Sequence, residues 1–427
     1  MNIKLNIKYY IYGAIFLTMV LAAFLLSNLF KNNSVKENII STNIKPEMPV
    51  QNNPYSEEDY LKLHFDNILI DSHNDFLWQV YDKGAVFENR NSFTQSDYFR
   101  FKEGGVDVQI FAVWIPMKEV KRSVGFTKGQ IERLYNIERN NPDKIEIGKT
   151  YDDILRIVNT GKLCALLGIE GGTAVGSSVD NVNMYWDLGV RYIGLTWNNS
   201  NLIASSARDE RERGKNGGLT NFGTEVIKRM DDVGMLIDVS HLGEASFWDV
   251  IEISKNPVIA SHSNSYSINP HFRNLTDEQI RAIAQRGGVI NVNFYDEFLD
   301  KHAKRNRTSN AYNLYSAELD ELNEKYGDDL IKYNEEREKF LKEKNLESGT
   351  TIDKVIEHID YIKNLVGIDY IGIGSDFDGG ITPPVELYDA SCYPLLTKKL
   401  LEKGYTEEDV KKILGLNFLR VFKQVCG

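Results

Sequence analysis

The sequence predicts an α/β chain whose strands close into a parallel (β/α)8 barrel of the TIM type. Eight apolar, strand-like runs alternate with helix-like stretches from about Ile68 onward, the alternation expected of repeated βα units. Several runs are almost continuously apolar, as strands buried on both faces must be. A doubly wound open sheet is the other arrangement of such units, but no glycine-rich phosphate loop follows the first run.

The runs are Ile68–Phe76, Val106–Ile115, Cys164–Gly171, Val190–Trp197, Met235–His241, Pro257–His262, Gly288–Tyr295 and Tyr370–Asp376. Helices are expected between them. Phe222–Val233 sets Val226, Met230 and Val233 at helical spacing. Thr276 is a suitable N-cap for Asp277–Arg286. Thr351–Val366 and Glu407–Val425 read as further helices. One interval breaks the rhythm: residues 296–349, between the seventh and eighth runs, are far longer than a barrel loop needs. That interval is dense in charge, as in Glu335-Glu336-Arg337-Glu338-Lys339, and reads as a solvated helical hairpin inserted in the barrel, with a lid or partner-contact role as the sharper alternative.

Before the barrel, Lys4 and Lys8 precede an uncharged run of 22 residues, Tyr9–Phe30. A helix of that length crosses a hydrocarbon core of about 30 Å. A cleaved signal usually has a shorter apolar region, and Leu25-Leu26-Ser27 is a poor cleavage site. Residues 1–31 therefore read as a membrane anchor rather than a signal sequence. The basic N-terminus is placed inside and the barrel outside the cytoplasm, as a single-pass protein of the cell membrane; a secreted protein is the alternative. Residues 32–56, rich in Asn, Ser and Pro, read as a flexible linker, and 57–427 as the catalytic domain. Net charge is −11, so the basic footprint of a nucleic-acid binder is missing. Three cysteines exclude a disulfide scaffold. Cys164 falls in an apolar run and reads as core, while Cys392 and Cys426 are a candidate pair.

The chemistry-bearing residues gather at the ends of the runs. The first ends Asp71-Ser72-His73-Asn74-Asp75, with His73 and Asp75 two residues apart on one strand face. The third ends in Glu170 among glycines. The fifth ends in His241, the sixth in His262, and the eighth in Ser375-Asp376-Phe377-Asp378. Only seven histidines occur in the chain, and three stand where the strand ends of a barrel converge. Imidazoles and carboxylates in that pattern suit zinc or a similar dication. Strand parity puts Asp376 and Asp378 on the same face and does not separate them. His64, His302 and His358 lie in helix-like or charged stretches and receive no role. His271, two residues before Arg273, reads as structural or as a support to the site.

These residues resemble the membrane (renal) dipeptidase family of zinc metallopeptidases. The resemblance rests on Asp71–Asp75, Gly168–Gly172, Gly217-Gly218-Leu219-Thr220, Gly234–His241, Ser261-His262-Ser263, Arg273-Asn274-Leu275 and Gly372–Gly379. It covers roughly Ile68–Phe422, apart from the charged insertion. It implies a metal-dependent hydrolase barrel with two Zn2+ ions. His73 and Asp75 would hold one ion, His241 and His262 the other, and Glu170 would bridge them. Asp376 would be the acid/base, and Arg273 would bind the terminal carboxylate of a dipeptide substrate. A homodimer is also in keeping with the family.

One segment departs from the family. Its best-known members carry a histidine after the fourth strand, where this chain reads Leu195-Thr196-Trp197-Asn198-Asn199. Trp197 cannot accept a proton, although its indole N–H, Asn198 and Asn199 can donate hydrogen bonds. Trp197 and Asn198 are therefore candidate substrate contacts, with an apolar pocket wall as the other reading of Trp197, and Tyr295, at the end of the seventh run, is a further candidate for the pocket lining. The expected activity is hydrolysis of dipeptides. Another binuclear barrel hydrolase, acting on a lactam, cyclic amide or ester, and a weakly catalytic surface binding protein are the alternatives.

Overall fold

Eight strands close on themselves in the computed structural model, which describes residues 55–303 and 350–427 together with scattered positions from 318 to 344. The strands are β1 (Leu69–Asn74), β2 (Val106–Trp114), β3 (Ile145–Ile147), β4 (Leu163–Glu170), β5 (Val190–Gly194), β6 (Leu236–Asp238), β7 (Val258–Ala260), β8 (Val289–Val292) and β9 (Ile371–Ile373). All pair in parallel, and the ring runs β1-β2-β4-β5-β6-β7-β8-β9 and back to β1. Each expected run supplies one member of that ring.

The ninth strand, β3, is an addition the sequence reading lacks. It pairs with Leu163–Ala165 of β4, on the edge that β5 takes over from Leu167. Three residues carry too little periodicity to be seen against the preceding helix, Ser123–Asn140.

Side chains alternate along the ring strands. Ile70, Val108, Ile110, Cys164, Leu166, Tyr192, Leu236, Ile259 and Val289 form the inner cluster. The C-terminal helix Asn417–Cys426 packs Phe418, Val421 and Phe422 against it and so plugs the N-terminal mouth. The opposite parity, including Leu69, Phe111, Val113 and Leu167, packs with the surrounding helices. Continuing the inward parity of β4 past Leu166 brings Gly168 and then Glu170 to the axis. Gly168 has no substitute there: a Cβ would stand 2.0 Å from the Tyr192 ring.

The helices follow their end signals. Thr276 and Gln279 form a reciprocal capping box on Asp277–Gln285. Asn221–Val233 buries Val226 and Met230, and Ile352–Val366 spans the expected stretch. The expected helix 407–425 is interrupted by one π turn, Lys412–Leu416. That turn brings Gly415 so close to the start of β1 that a Cβ would meet the Ile68 carbonyl oxygen at 2.5 Å.

Three expectations are corrected. Cys392 and Cys426 are both buried and both free, so they do not pair. The interval after β8 does not leave the core at once: Asp296–Leu299 is a short helix with Leu299 fully buried. Strand parity does not reach Asp376 and Asp378, because β9 ends at Ile373 and both aspartates have left-handed backbone, with φ of 67° and 66°. No helix among the described residues is long and apolar enough to cross a membrane. The Tyr9–Phe30 run, the linker up to Pro54 and most of 304–349 lie outside the described residues.

Candidate metal centre and substrate pocket

The C-terminal ends of the strands bring His73, Asp75, Glu170, His241, His262 and Asp376 into one buried cluster. His73 lies within a register irregularity of β1 between Asp71 and Asn74. Its ring stacks on that of His262, with centroids 3.8 Å apart. The segments beyond β1 and β9 are tied together by Asp75 N–H to the Phe377 carbonyl (2.8 Å) and Asp376 N–H to the His73 carbonyl (3.1 Å). His241 and Asp376 both adopt left-handed backbone, at φ 65° and 67°. Together with Asp378 they are the only non-glycine residues that do so among the described ones. Such conformations cost about 1–3 kcal/mol each and concentrate where function dictates geometry.

Hydrogen bonds at the outer ring nitrogens fix the tautomers. Tyr192 donates its hydroxyl to the Ser72 carbonyl (3.2 Å), so it accepts from His73 Nδ1 at 3.0 Å. Ser261 donates to the Asp238 carboxylate (2.6 Å), so it accepts from His262 Nδ1 at 2.8 Å. Asn198 Oδ1 accepts from His241 Nδ1 at 3.1 Å. All three Nε2 atoms therefore present lone pairs inward. Those of His241 and His262 stand 3.0 Å apart, a repulsive contact unless a cation lies against both. His73 Nε2 is buried without a hydrogen-bond partner. It lies 3.6 Å from Asp75 Oδ2 and 3.8 Å from Glu170 Oε2, too far for hydrogen bonds but within the span of two donors sharing one ion. Outward bonds that orient inward imidazoles are the supporting interactions typical of metal ligands.

The electrostatics suit a site that takes up positive charge. Burial pushes the His73 imidazole down, but Asp75, Glu170 and Asp376 outweigh it and hold the group up at about 10. His241 and His262 are driven well below the usual range by burial and by the nearby Arg273 and His73 charges. Burial raises Glu170 well above the usual carboxylate range, and the Asp75 and Asp376 charges add to it. Asp376 is pushed up to about 7 by burial, against the His73 charge and the Asn293 hydrogen bond. A bound dication would reverse this balance and keep the carboxylates charged. The donor set therefore fits metal, with two overlapping groups of candidate ligands: His73, Glu170 and His262, and His73, Asp75 and Asp376.

Asp376 and Asp378, inseparable by sequence, face different partners. Asp378 accepts from Gln95 N–H (2.7 Å) and from the Ser96 hydroxyl, and so anchors the loop before residue 97. Asp376 accepts from Asn293 Nδ2 at 2.9 Å and faces the cluster. Gly379 is required beside it, since a Cβ there would stand 2.4 Å from Asp376 Oδ1 and 2.6 Å from Asp75 Oδ2.

Asp75, Glu170, Trp197, Asn198, Tyr295 and Asp376 all border one cavity of about 390 Å³. Arg273 lines an adjoining cavity of about 250 Å³, and His241 borders both. The Arg273 guanidinium is buried, donates from Nη2 to the His262 carbonyl (3.1 Å) and leaves Nε unpartnered. No carboxylate among the described residues forms an ion pair with it. His271 Nδ1 accepts from the Arg273 backbone N–H (3.2 Å), which makes it a support to that segment. Sequence reasoning missed Tyr192, Asp238 and Ser261 as partners of the cluster histidines, and it missed Trp78, Trp114 and Phe298 as pocket walls. Trp114, Asp238 and Ser261 are signalled only by standing at or just past a strand's C-terminal end, and Tyr192, Trp78 and Phe298 carry no local signal.

The pattern of the membrane dipeptidase family (peptidase family M19) matches residues 57–426. An uncharacterized dipeptidase of Schizosaccharomyces pombe is 30% identical over 379 residues, which cover 83% of this chain and 80% of that one. Among solved structures, the probable dipeptidase PvdM from Pseudomonas aeruginosa superposes with a TM-score of 0.72 at 24% identity, covering 87% of this chain and 98% of that one. A metallopeptidase from Rhodobacter sphaeroides, liganded with a phosphinate mimic of the dipeptide L-Ala-D-Ala, does so at 0.70 and 22% identity, over 84% of this chain and 100% of that one. The chain belongs to the membrane dipeptidase family and is a metallo-dipeptidase.

Proposed function

We propose that this metallo-dipeptidase carries two zinc ions and hydrolyses dipeptides that have a free C-terminal carboxylate. The observation that carries the reading is the division of Glu170. Its Oε2 faces His73 at 3.8 Å, while its Oε1 faces His241 at 2.9 Å and His262 at 3.6 Å. One carboxylate thus addresses two sets of donors, His73 with Asp75 and His241 with His262. The sets would hold one ion each, with Glu170 between them. Two zinc ions there would acidify a water and polarise the scissile carbonyl.

The other residues bind and move protons. Asp376, a buried carboxylate that faces the cluster and is held by Asn293 Nδ2 at 2.9 Å, is suited to accept the proton of the attacking water and deliver it to the leaving amine nitrogen. Arg273, a buried cation without an acidic partner among the described residues, is suited to grip the terminal carboxylate in a bidentate fork. The phosphinate dipeptide mimic bound by the Rhodobacter sphaeroides relative is in keeping with a substrate of this size.

The test combines metal analysis with a hydrolysis panel. We expect about two zinc ions per chain, cleavage of free dipeptides, and loss of cleavage with chelator or with an amidated C-terminus. A folded, zinc-loaded protein that cleaves no dipeptide, or cleaves amidated ones equally well, overturns the reading.

A further inference from the structure

We propose that Trp78, Trp114 and Trp197 form a specificity wall that selects dipeptides with an aromatic N-terminal residue, an inference that rests on the dipeptidase reading above. The three residues come from separate elements. Trp78 lies in the helix Phe76–Lys83 that follows β1, Trp114 ends β2, and Trp197 stands three residues past β5. They meet edge to face. Trp78 and Trp114 have centroids 4.8 Å apart at 87°, and Trp114 and Trp197 are 5.0 Å apart at 64°. Trp197 in turn lies 6.4 Å from the His241 ring. A continuous aromatic row therefore leads from the candidate metal cluster outward.

The row is braced from behind. Trp78 contacts Tyr81 at 5.4 Å, Tyr81 meets Phe126 edge to face at 5.1 Å, and the Arg133 guanidinium lies 4.8 Å over Tyr81. All three tryptophans line the cavity of about 390 Å³ and are only partly buried, so part of each is left for a ligand. Edge-to-face packing at these spacings is the geometry a further aromatic ring would extend.

The end of the substrate that meets the wall follows from Arg273. It lines the adjoining cavity, and His241 borders both. With the terminal carboxylate held on the Arg273 side and the scissile bond at the cluster, the N-terminal residue must enter the cavity that the tryptophans line.

The experiment compares kcat/KM of the zinc-loaded full chain for Phe-Ala, Ala-Phe and Ala-Ala. We expect Phe-Ala to exceed Ala-Ala by at least about 10-fold, the discrimination that apolar pockets give for small differences in side-chain size. Ala-Phe should show no comparable gain. The Phe-Ala to Ala-Ala ratio should fall toward one in Trp197→Ala and separately in Trp78→Ala, chiefly through KM. Equal rates for Phe-Ala and Ala-Ala overturn the wall and leave the dipeptidase reading intact. Absence of hydrolysis of all three overturns the parent reading. The wall is then judged by titrating tryptophan fluorescence with phosphinate mimics of Phe-Ala and Ala-Ala: tighter binding of the first supports it, and equal binding overturns it.

Discussion

Arg273 is a side chain that is expensive for the fold and, on the function proposed above, useful for the reaction. Burial pulls its pKa down to about 10, against the Asp376, Glu170 and Asp238 charges. A buried cation without a paired acid is a net cost, and an apolar residue of similar length removes it. Arg273→Met should therefore leave the melting temperature unchanged or raise it. The same change should lower kcat/KM for free dipeptides by about 10- to 100-fold, the worth of a charge-assisted pair. A variant that melts lower and keeps its activity would mean the guanidinium is structural. Tyr192 is the complementary case. Tyr192→Phe removes only the oxygen that accepts from His73 Nδ1, so metal affinity should fall about 10- to 100-fold in a folded protein, read by competition with a chelator. The residues of the buried cluster are legible in the sequence because each stands at or near the end of a strand run. Their supports were not: Tyr192 reaches His73 across 119 residues and Asn198 reaches His241 across 43, and no local pattern encodes such partners.

At the level of elements, strand parity works wherever a strand is long enough to carry it. It carries through to Glu170, because β4 keeps its alternation from Leu163 to Glu170. It failed at β9, which has three residues and hands over to a left-handed loop before Asp376. All eight ring strands were legible as apolar runs, while β3 was too short to be seen. Where two elements touch most closely the tolerance is smallest, and Gly168 of β4 under Tyr192 of β5 is such a point. A Cβ at 2.0 Å from the ring forces Tyr192 to move. Gly168→Ala should therefore destabilise the barrel by about 1–3 kcal/mol, the usual cost of overpacking, and should also weaken metal binding. Urea melts with and without chelator check both halves. Loss of stability with metal affinity retained would show that Tyr192 moves without releasing His73.

Across the whole molecule, two histidines outside the site add to the cost of acid that the buried His241 and His262 already impose. His64 joins the helix Glu57–Phe65 to Thr397 (2.7 Å) and the Gly104 carbonyl (2.8 Å). His358, on Ile352–Val366, donates from Nε2 to the Leu299 carbonyl (3.0 Å) and accepts at Nδ1 from Ser265 N–H (3.0 Å). A backbone N–H cannot turn into an acceptor, so His358 has no room for a second proton. Burial lowers both groups from 6.5 to about 4. Above pH 6.5 each is neutral in the folded and unfolded chain alike, and neither makes stability depend on pH. Between pH 6.5 and 4 the unfolded chain binds the proton and the folded chain does not, so stability falls as pH falls. Each can remove up to about 3 kcal/mol once pH is below 4. His358→Gln keeps a donor and an acceptor but cannot titrate. It should cost about 1 kcal/mol at pH 7.5 and then lose less stability than the parent on acidification, so the two curves converge or cross between pH 6 and 4. Chelated protein is the right sample, because acid also strips metal from the cluster. Parallel curves for parent and variant would mean that His358 titrates in the fold as freely as in the unfolded chain.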